Sequence, residues 1–237
     1  MNSKKLSKRL EAVASFIDQD SRLADIGSDH AYLPCHLVLN KQINFAIAGE
    51  VVAGPLASAK KEIARWELAD QVQARLGDGL AVIQPEDQVD TITICGMGGA
   101  LIVDILERGL ADGKLQNQPK LILQPNLASD QVRSWLVEHD YKIVAEDIIQ
   151  EKGKIYEVIV AQAGHHEPAL SESDLLFGPY TYQANPQVFK EKWQAELAHH
   201  QKIIDQIQYG ANQEGLDHFG HQLNLIQERL NEIEEAD

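Results

Sequence analysis

The chain has 237 residues, 44% of them hydrophobic, enough for one full core and a smaller appended unit. Its formal charge of −15 by itself argues against a nucleic-acid partner, a prior that specific residues have to beat, and no apolar run is long enough to cross a bilayer. The only cysteines, Cys35 and Cys95, lie far apart and outside any C-x-x-C pattern, which argues against a disulfide framework or structural zinc and fits small apolar residues of a reduced compartment.

The polar start Met1-Asn2-Ser3-Lys4-Lys5 leads into an amphipathic pattern and not a signal core, so a cytoplasmic location is expected. Leu6, Leu10, Val13, Phe16 and Ile17 share one helical face, with Lys4, Lys5, Lys8 and Arg9 at its beginning. Next comes a buried strand over residues 23–26, an acidic turn with a single glycine, and a helix over 33–40. This layout presents backbone amides to a nucleotide-like cofactor. The second and third glycines of G-x-G-x-x-G are missing, so the loop is expected to hold a ligand without phosphates.

Strands are predicted over 45–51, 72–76, 91–95 and 121–123, and helices over 55–66, 100–108 and 129–138. The alternation implies a parallel sheet covered on both faces. Residues 141–150 and 154–162 form two more strands joined only by Glu151-Lys152-Gly153, too short for a helical crossover, so the sheet ends in an antiparallel hairpin. A mostly parallel sheet closed by such a hairpin is the plan of the SAM-dependent methyltransferases.

Composition shifts at Gly164-His165-His166-Glu167-Pro168, giving expected domains of 1–163 and 164–237. Beyond it Phe189, Trp193, Leu197, His200, Ile204 and Ile207 step by three or four residues, as do Leu216, Phe219, Leu223, Ile226, Leu230 and Ile233. Two such runs around the break at 209–215 predict an antiparallel helical hairpin in coiled-coil style.

Asp25 with Gly27, Glu50 and Asp78 stand at the carboxyl ends of three successive predicted strands and form one rim at the topological switch point. Glu50 is placed to accept both ribose hydroxyls and Asp78 an adenine amino group. The glycines of Ile94-Cys95-Gly96-Met97-Gly98-Gly99 either let a substrate lie on bare backbone or make a tight strand-to-helix turn. Gln124-Pro125-Asn126 either meets a base edge or caps the next helix.

Together Asp25-Ile26-Gly27-Ser28-Asp29-His30-Ala31-Tyr32-Leu33-Pro34, Gly49-Glu50-Val51, Gly77-Asp78-Gly79, Gly96-Met97-Gly98-Gly99 and Gln124-Pro125-Asn126 resemble the bacterial tRNA adenine-22 N1-methyltransferases (TrmK) over nearly the whole chain. The resemblance implies an α/β fold, a Rossmann-like seven-stranded methyltransferase sheet plus a C-terminal helical coiled-coil hairpin. It also implies S-adenosylmethionine as cofactor and tRNA as partner, with methyl transfer to N1 of adenine 22. No metal, membrane or obligatory protein partner is implied. Carried over by position, Asp25, Gly27 and His30 line the methionine half, Glu50 with Val51 the ribose, and Asp78 with Gly79 the adenine. Gly96, Met97 and Gly98 flank the sulfonium and the target base.

Adenine N1 is unprotonated at neutral pH and can attack in line without a strong base, so alignment and electrostatics dominate. N1 lies on the Watson–Crick edge, so the base has to be turned out of its stack. The methylated ring is a cation, for which Asp29 is the expected stabiliser and Asn126 the holder of the base edge; Asp29 as a helix cap is the alternative. His30 is expected to orient the cofactor carboxylate. Tyr32 either stacks on the base or packs beneath the loop, and Gln124 joins the substrate contacts.

Residues 1–160 carry a net −6 and residues 161–237 a net −9, so the tRNA footprint is assigned to Lys5, Lys8 and Arg9 with Lys4. Gln201, Gln208 and Asn212 are kept for shape recognition by the hairpin, and His199, His200, His218 and His221 are not expected to hold a metal. An NAD oxidoreductase would need glycine where Asp29 stands. Methylation of another RNA base, or a SAM-binding interaction module, are the other readings kept.

Overall fold

The computed structural model describes residues 2–207 and 213–236. Gln208, Asn212 and the intervening part of the expected turn, together with the side chain of His218, lie outside the described residues. Chain order is α1 (Lys8–Ser15), β1 (Arg22–Ile26), α2 (Tyr32–Leu39), β2 (Phe45–Glu50), α3 (Ala53–Arg65) and β3 (Val72–Leu76), then two 3-10 turns at Gly79–Val82 and Pro85–Asp87. It continues with β4 (Thr91–Met97), α4 (Gly99–Ala111), β5 (Lys120–Pro125), α5 (Ser129–Glu138), β6 (Tyr141–Glu151) and β7 (Lys154–Ala163).

The seven strands form one sheet in the order β3-β2-β1-β4-β5-β7-β6. β1 to β5 pair in parallel and β7 runs antiparallel to both β5 and β6. The chain winds outward from β1 to β3 and then crosses back to lay β4 on the other side of β1. The switch point therefore falls between β1 and β4, at their carboxyl ends. Central strands such as β1 and β5 are buried along nearly their whole length, which their near-continuous apolar runs require. Val13, Leu33, Leu37, Ile63 and Val158 pack on one face, and Ile92, Ile102, Leu106, Val132 and Leu136 on the other.

The first helix begins at Lys8 and not at the lysine pair. Asn2 Oδ1 accepts from the backbone N–H groups of Lys4 and Lys5, which holds them in a turn, and Ser7 caps the helix through Leu10 N–H. The β6–β7 turn is Lys152-Gly153, with φ of +51° and +75°, the left-handed pair that suits a two-residue hairpin.

After β7 the described elements are helical: α6 (Glu172–Phe177), α7 (Thr181–Ala184), α8 (Pro186–Ile207) and α9 (Gln213–Ala236). Phe177, Phe189, Trp193, Ile226, Leu230 and Ile233 bury together, and they do so against Ile148 of β6 and Ile155 of β7. The helix pair thus rests on the terminal hairpin of the sheet. His200 meets the Glu196 carbonyl at 2.8 Å and Gln222 at 2.9 Å, while His221 pairs with Glu172 at 2.9 Å. Among the described residues no cluster of three His, Cys, Asp or Glu side chains suits a metal ion. No helix among them is long and apolar enough to cross a membrane.

A buried ionic cluster joins the helices to the sheet. Arg133 of α5 is fully buried; its Nε pairs with Glu146 Oε1 at 2.7 Å and its Nη1 donates to the carbonyls of Leu175 and Leu176 at 3.2 Å. Arg133 Nη2 lies 3.3 Å from Glu157 Oε1, and Glu157 also pairs with Lys192 of α8 at 2.9 Å. Burial alone would raise the Glu157 carboxyl, yet Lys192 and Arg133 together hold it at about 2.

Candidate active site

Asp25 is the penultimate residue of β1 and is almost wholly buried. Its Oδ1 accepts from Thr93 Oγ1 of β4 at 2.6 Å and its Oδ2 accepts from the Ser28 hydroxyl, so it joins the strand to the loop. Burial raises this carboxyl, against the pull of those two hydroxyls. The Gly27 N–H donates to Gly49 O at 2.9 Å and the Ser28 N–H to the same oxygen at 3.2 Å, clipping the loop to β2. Gly27 has φ of +69°, and a Cβ there would meet only the terminal methyl of the flexible Met97 side chain, so it is the left-handed turn that requires glycine.

Glu50, at the end of β2, accepts from the backbone N–H of Asp29. Burial pushes its carboxyl upward while the Asp29 N–H opposes that shift. Asp29 and Ala31 both adopt left-handed backbone, with φ of +55° and +54°. The helix that follows starts at Tyr32 and has no side-chain cap. The capping alternative for Asp29 is therefore not the one adopted: its carboxylate is exposed, 3.7 Å from His30 Nε2. The His30 ring stacks on Tyr32 with centroids 5.0 Å apart, which occupies a face of Tyr32.

On the other side of the switch point β4 bulges, and its register with β5 shifts between Cys95 and Met97. Gly96, with φ of +78°, is the residue at the bulge. Its N–H donates to Gln124 Oε1 at 3.0 Å and its carbonyl accepts from Asn126 Nδ2 at 2.7 Å. The Asn126 N–H donates to Met97 O at 2.8 Å, and Gln124 Nε2 donates to Pro125 O and to Asn126 Oδ1 at 3.0 and 3.2 Å. The amide groups of Gln124 and Asn126 thus clamp the bulge. Asn126 does not cap α5, which follows Ala128 in left-handed backbone.

Gln124, expected among the substrate contacts, is fully buried with both ends of its amide engaged. Its acceptor also takes a hydrogen bond from Arg9 Nη1. Arg9 accordingly parts from Lys5 and Lys8, which are exposed, and turns inward. At the far rim Asp78 is exposed and pairs with Arg108, which also pairs with Asp104 at 2.9 Å. Gly79 has φ of +52°, Gly98 precedes α4 in extended backbone, and Val51 lies exposed just beyond β2.

These elements enclose an inner cavity of about 250 Å³ lined by Asp25, Gly27, Asp29, Tyr32 and Met97, with Arg9 as its one Lys or Arg among the described residues. An outer cavity of about 460 Å³ shares Arg9 and Gly96 with it and adds Asn126. Glu50, Val51, Asp78 and Gly79 continue the rim along the ends of β2 and β3. Thr93 was missed from sequence, although a polar residue inside the apolar run of β4 needs a buried partner and thereby signals one.

The family model described as TrmK, tRNA (adenine(22)-N(1))-methyltransferase, matches residues 23–228. The chain is 44% identical to the tRNA (adenine(22)-N(1))-methyltransferase of Bacillus subtilis, over 96% of this chain and 98% of that relative. A Streptococcus pneumoniae structure, a putative tRNA (m1A22) methyltransferase in complex with S-adenosyl-L-methionine, is 46% identical with a TM-score of 0.86, covering 95% of this chain and 100% of that one. M. capricolum TrmK in complex with S-adenosyl-homocysteine aligns at 29% identity and a TM-score of 0.83, over 95% and 98% of the two chains. With the fold and the loop geometry described above, this chain belongs to the tRNA (adenine(22)-N(1))-methyltransferase family.

Proposed function

We propose that the chain transfers a methyl group from S-adenosylmethionine to N1 of adenine 22 of tRNA. Beyond family membership, the observation that carries this reading is the pair of adjoining cavities that share Arg9 and Gly96 at the β1/β4 switch point. The residues fit the cofactor: Gly27 and Gly96 bare the backbone, and Glu50 offers a carboxylate acceptor whose basicity burial raises. When bound, S-adenosylmethionine supplies an activated methyl group on a sulfonium.

In this reading Glu50, with Val51 beside it, receives the ribose hydroxyls, and Asp78 with Gly79 meets the adenine. Gly27 and His30 border the methionine half, while Asp25 acts through Ser28 and Thr93 by fixing the loop. Gly96, Met97 and Gly98 border the transfer point. Asn126 holds the base edge, and Gln124 is a positioning residue that sets Asn126 and Gly96. Lys5 and Lys8 meet phosphate; no metal and no protein partner enters the reading. Residues 1–163 form the catalytic unit and 164–237 the helical unit, and a tRNA substrate places the enzyme in the cytoplasm.

Asp29 is assigned to the charge that develops on the base as N1 becomes quaternary, because its carboxylate is exposed at the inner cavity and is not spent on a cap. Asp29→Asn is expected to lower the single-turnover rate roughly tenfold or more while S-adenosylhomocysteine affinity stays within about threefold. An unchanged rate would remove Asp29 from the chemistry. The function itself is tested by incubating the protein with unmodified tRNA and S-adenosylmethionine and mapping the methylated nucleotide. The expected product is 1-methyladenosine at position 22; a methyl group on another base or atom would reject the substrate assignment.

A further inference from the structure

The outer cavity contains an aromatic ring that the roles above do not use. Tyr156 of β7 lines it together with Arg9, Gly96, Asn126, Lys154 and Ile155. Strand alternation sends Tyr156 and Val158 to the face covered by α1, and the Arg9 guanidinium lies over the Tyr156 ring at 5.3 Å from its centroid. Tyr32, the other tyrosine near the switch point, lines the inner cavity and already stacks on His30. Lys154 precedes Tyr156 by one pleat on the same face, is exposed, and makes no ion pair among the described residues.

A base turned out of its helix loses stacking on both sides, and an aromatic side chain next to the reacting centre restores part of it. The nucleotide's phosphate then needs a cation, which is scarce on a chain of net charge −15. Resting on the tRNA reading, we propose that the outer cavity receives the target adenosine: Tyr156 is the platform on which the adenine stacks, and Lys154 meets an adjacent backbone phosphate. The Arg9 guanidinium covers that ring and lies at the wall between the two cavities, so stacking requires it to swing off Tyr156, and the base then reaches Gly96 along a path bounded by Arg9 and Asn126.

The test compares Tyr156→Phe with Tyr156→Leu on tRNA carrying 2-aminopurine in place of the target adenine, alongside methylation of the unlabelled tRNA. Wild type and Tyr156→Phe are expected to change the probe's fluorescence on binding and to agree within about threefold in kcat/KM. Tyr156→Leu, which fills the space without a π-face, is expected to lose the fluorescence change and roughly 10- to 100-fold in kcat/KM. S-adenosylhomocysteine binding, measured by calorimetry, should stay unchanged in both variants and reports that the fold is intact. Lys154→Ala should weaken tRNA binding and lower the slope of log affinity against log salt by about one unit.

Tyr156→Leu with wild-type kcat/KM and fluorescence, in a variant that still binds S-adenosylhomocysteine, would overturn the proposal. Loss in Tyr156→Phe as large as in Tyr156→Leu would also overturn it, since the ring face would not be what matters. Wild-type protein that binds S-adenosylhomocysteine but does not methylate tRNA would instead overturn the reading on which the proposal rests.

Discussion

An Arg133→Met variant is expected to lose about 3–5 kcal/mol of stability, measured as urea-induced unfolding followed by tryptophan fluorescence. The guanidinium is fully buried and paired with Glu146, and it also satisfies the carbonyls at the end of α6. Methionine fills most of the volume but leaves those acceptors without a donor and Glu146 without its counter-charge. Glu157 keeps Lys192, so the loss falls mainly on the side of Glu146 and α6. Adding Glu146→Gln to Arg133→Met is expected to restore part of the loss, because removing both charges costs less than stranding one. A change below about 1 kcal/mol in the single variant would show that the cluster is replaceable packing.

Glu50→Ala is expected to weaken S-adenosylmethionine binding by about 100-fold in calorimetry, while the thermal transition moves little. Under the proposed assignment two losses combine: the acceptor for the ribose hydroxyls disappears, and the Asp29 N–H loses the partner that ties the β1 loop to β2. Glu50→Gln separates them, since its amide oxygen can still accept from Asp29 and only the charged acceptor is lost. The pH dependence follows from the same burial. Hydroxyl donors favour the carboxylate, so in the wild type affinity falls as pH drops through a Glu50 pKa that burial has raised above the usual value of about 4.3. Glu50→Gln should flatten that limb, and wild-type affinity in Glu50→Ala would displace the ribose contact to another residue.

The strand and helix periods and the hairpin plan were legible because each rests on local pattern: apolar runs for β1, β2 and β5, and the short link Glu151-Lys152-Gly153 for the hairpin, of which Glu151 extends β6 and leaves Lys152-Gly153 as the turn. The start of α1 was not, because the competing acceptor on Asn2 is a single side chain outside the periodic segment. Arg9 was read as part of a basic helix face; only the packing of α1 across the last two strands turns it inward to Gln124. Gln124 was visible as an amide at a strand end, but the bulge at Gly96 that consumes it depends on pairing between two strands far apart in sequence. Arg133 gave no signal, since a basic residue in a half-polar helix looks solvated until α6 and the hairpin close over it.

The turn at Lys152-Gly153 has a consequence for how the molecule tolerates insertion. Along β7 successive residues face opposite ways: Tyr156 lies under α1, while Ile155 and Glu157 face the helix pair and its ion pairs. The pairing register of β7 on β6 decides which residue goes to which side, and a tight two-residue link sets that register. A single added residue propagated into the ladder would aim Glu157 at the face covered by α1 and Tyr156 at the helices. The link is thus a length standard, and sequence drift that is cheap in most surface turns is constrained here from two sides at once.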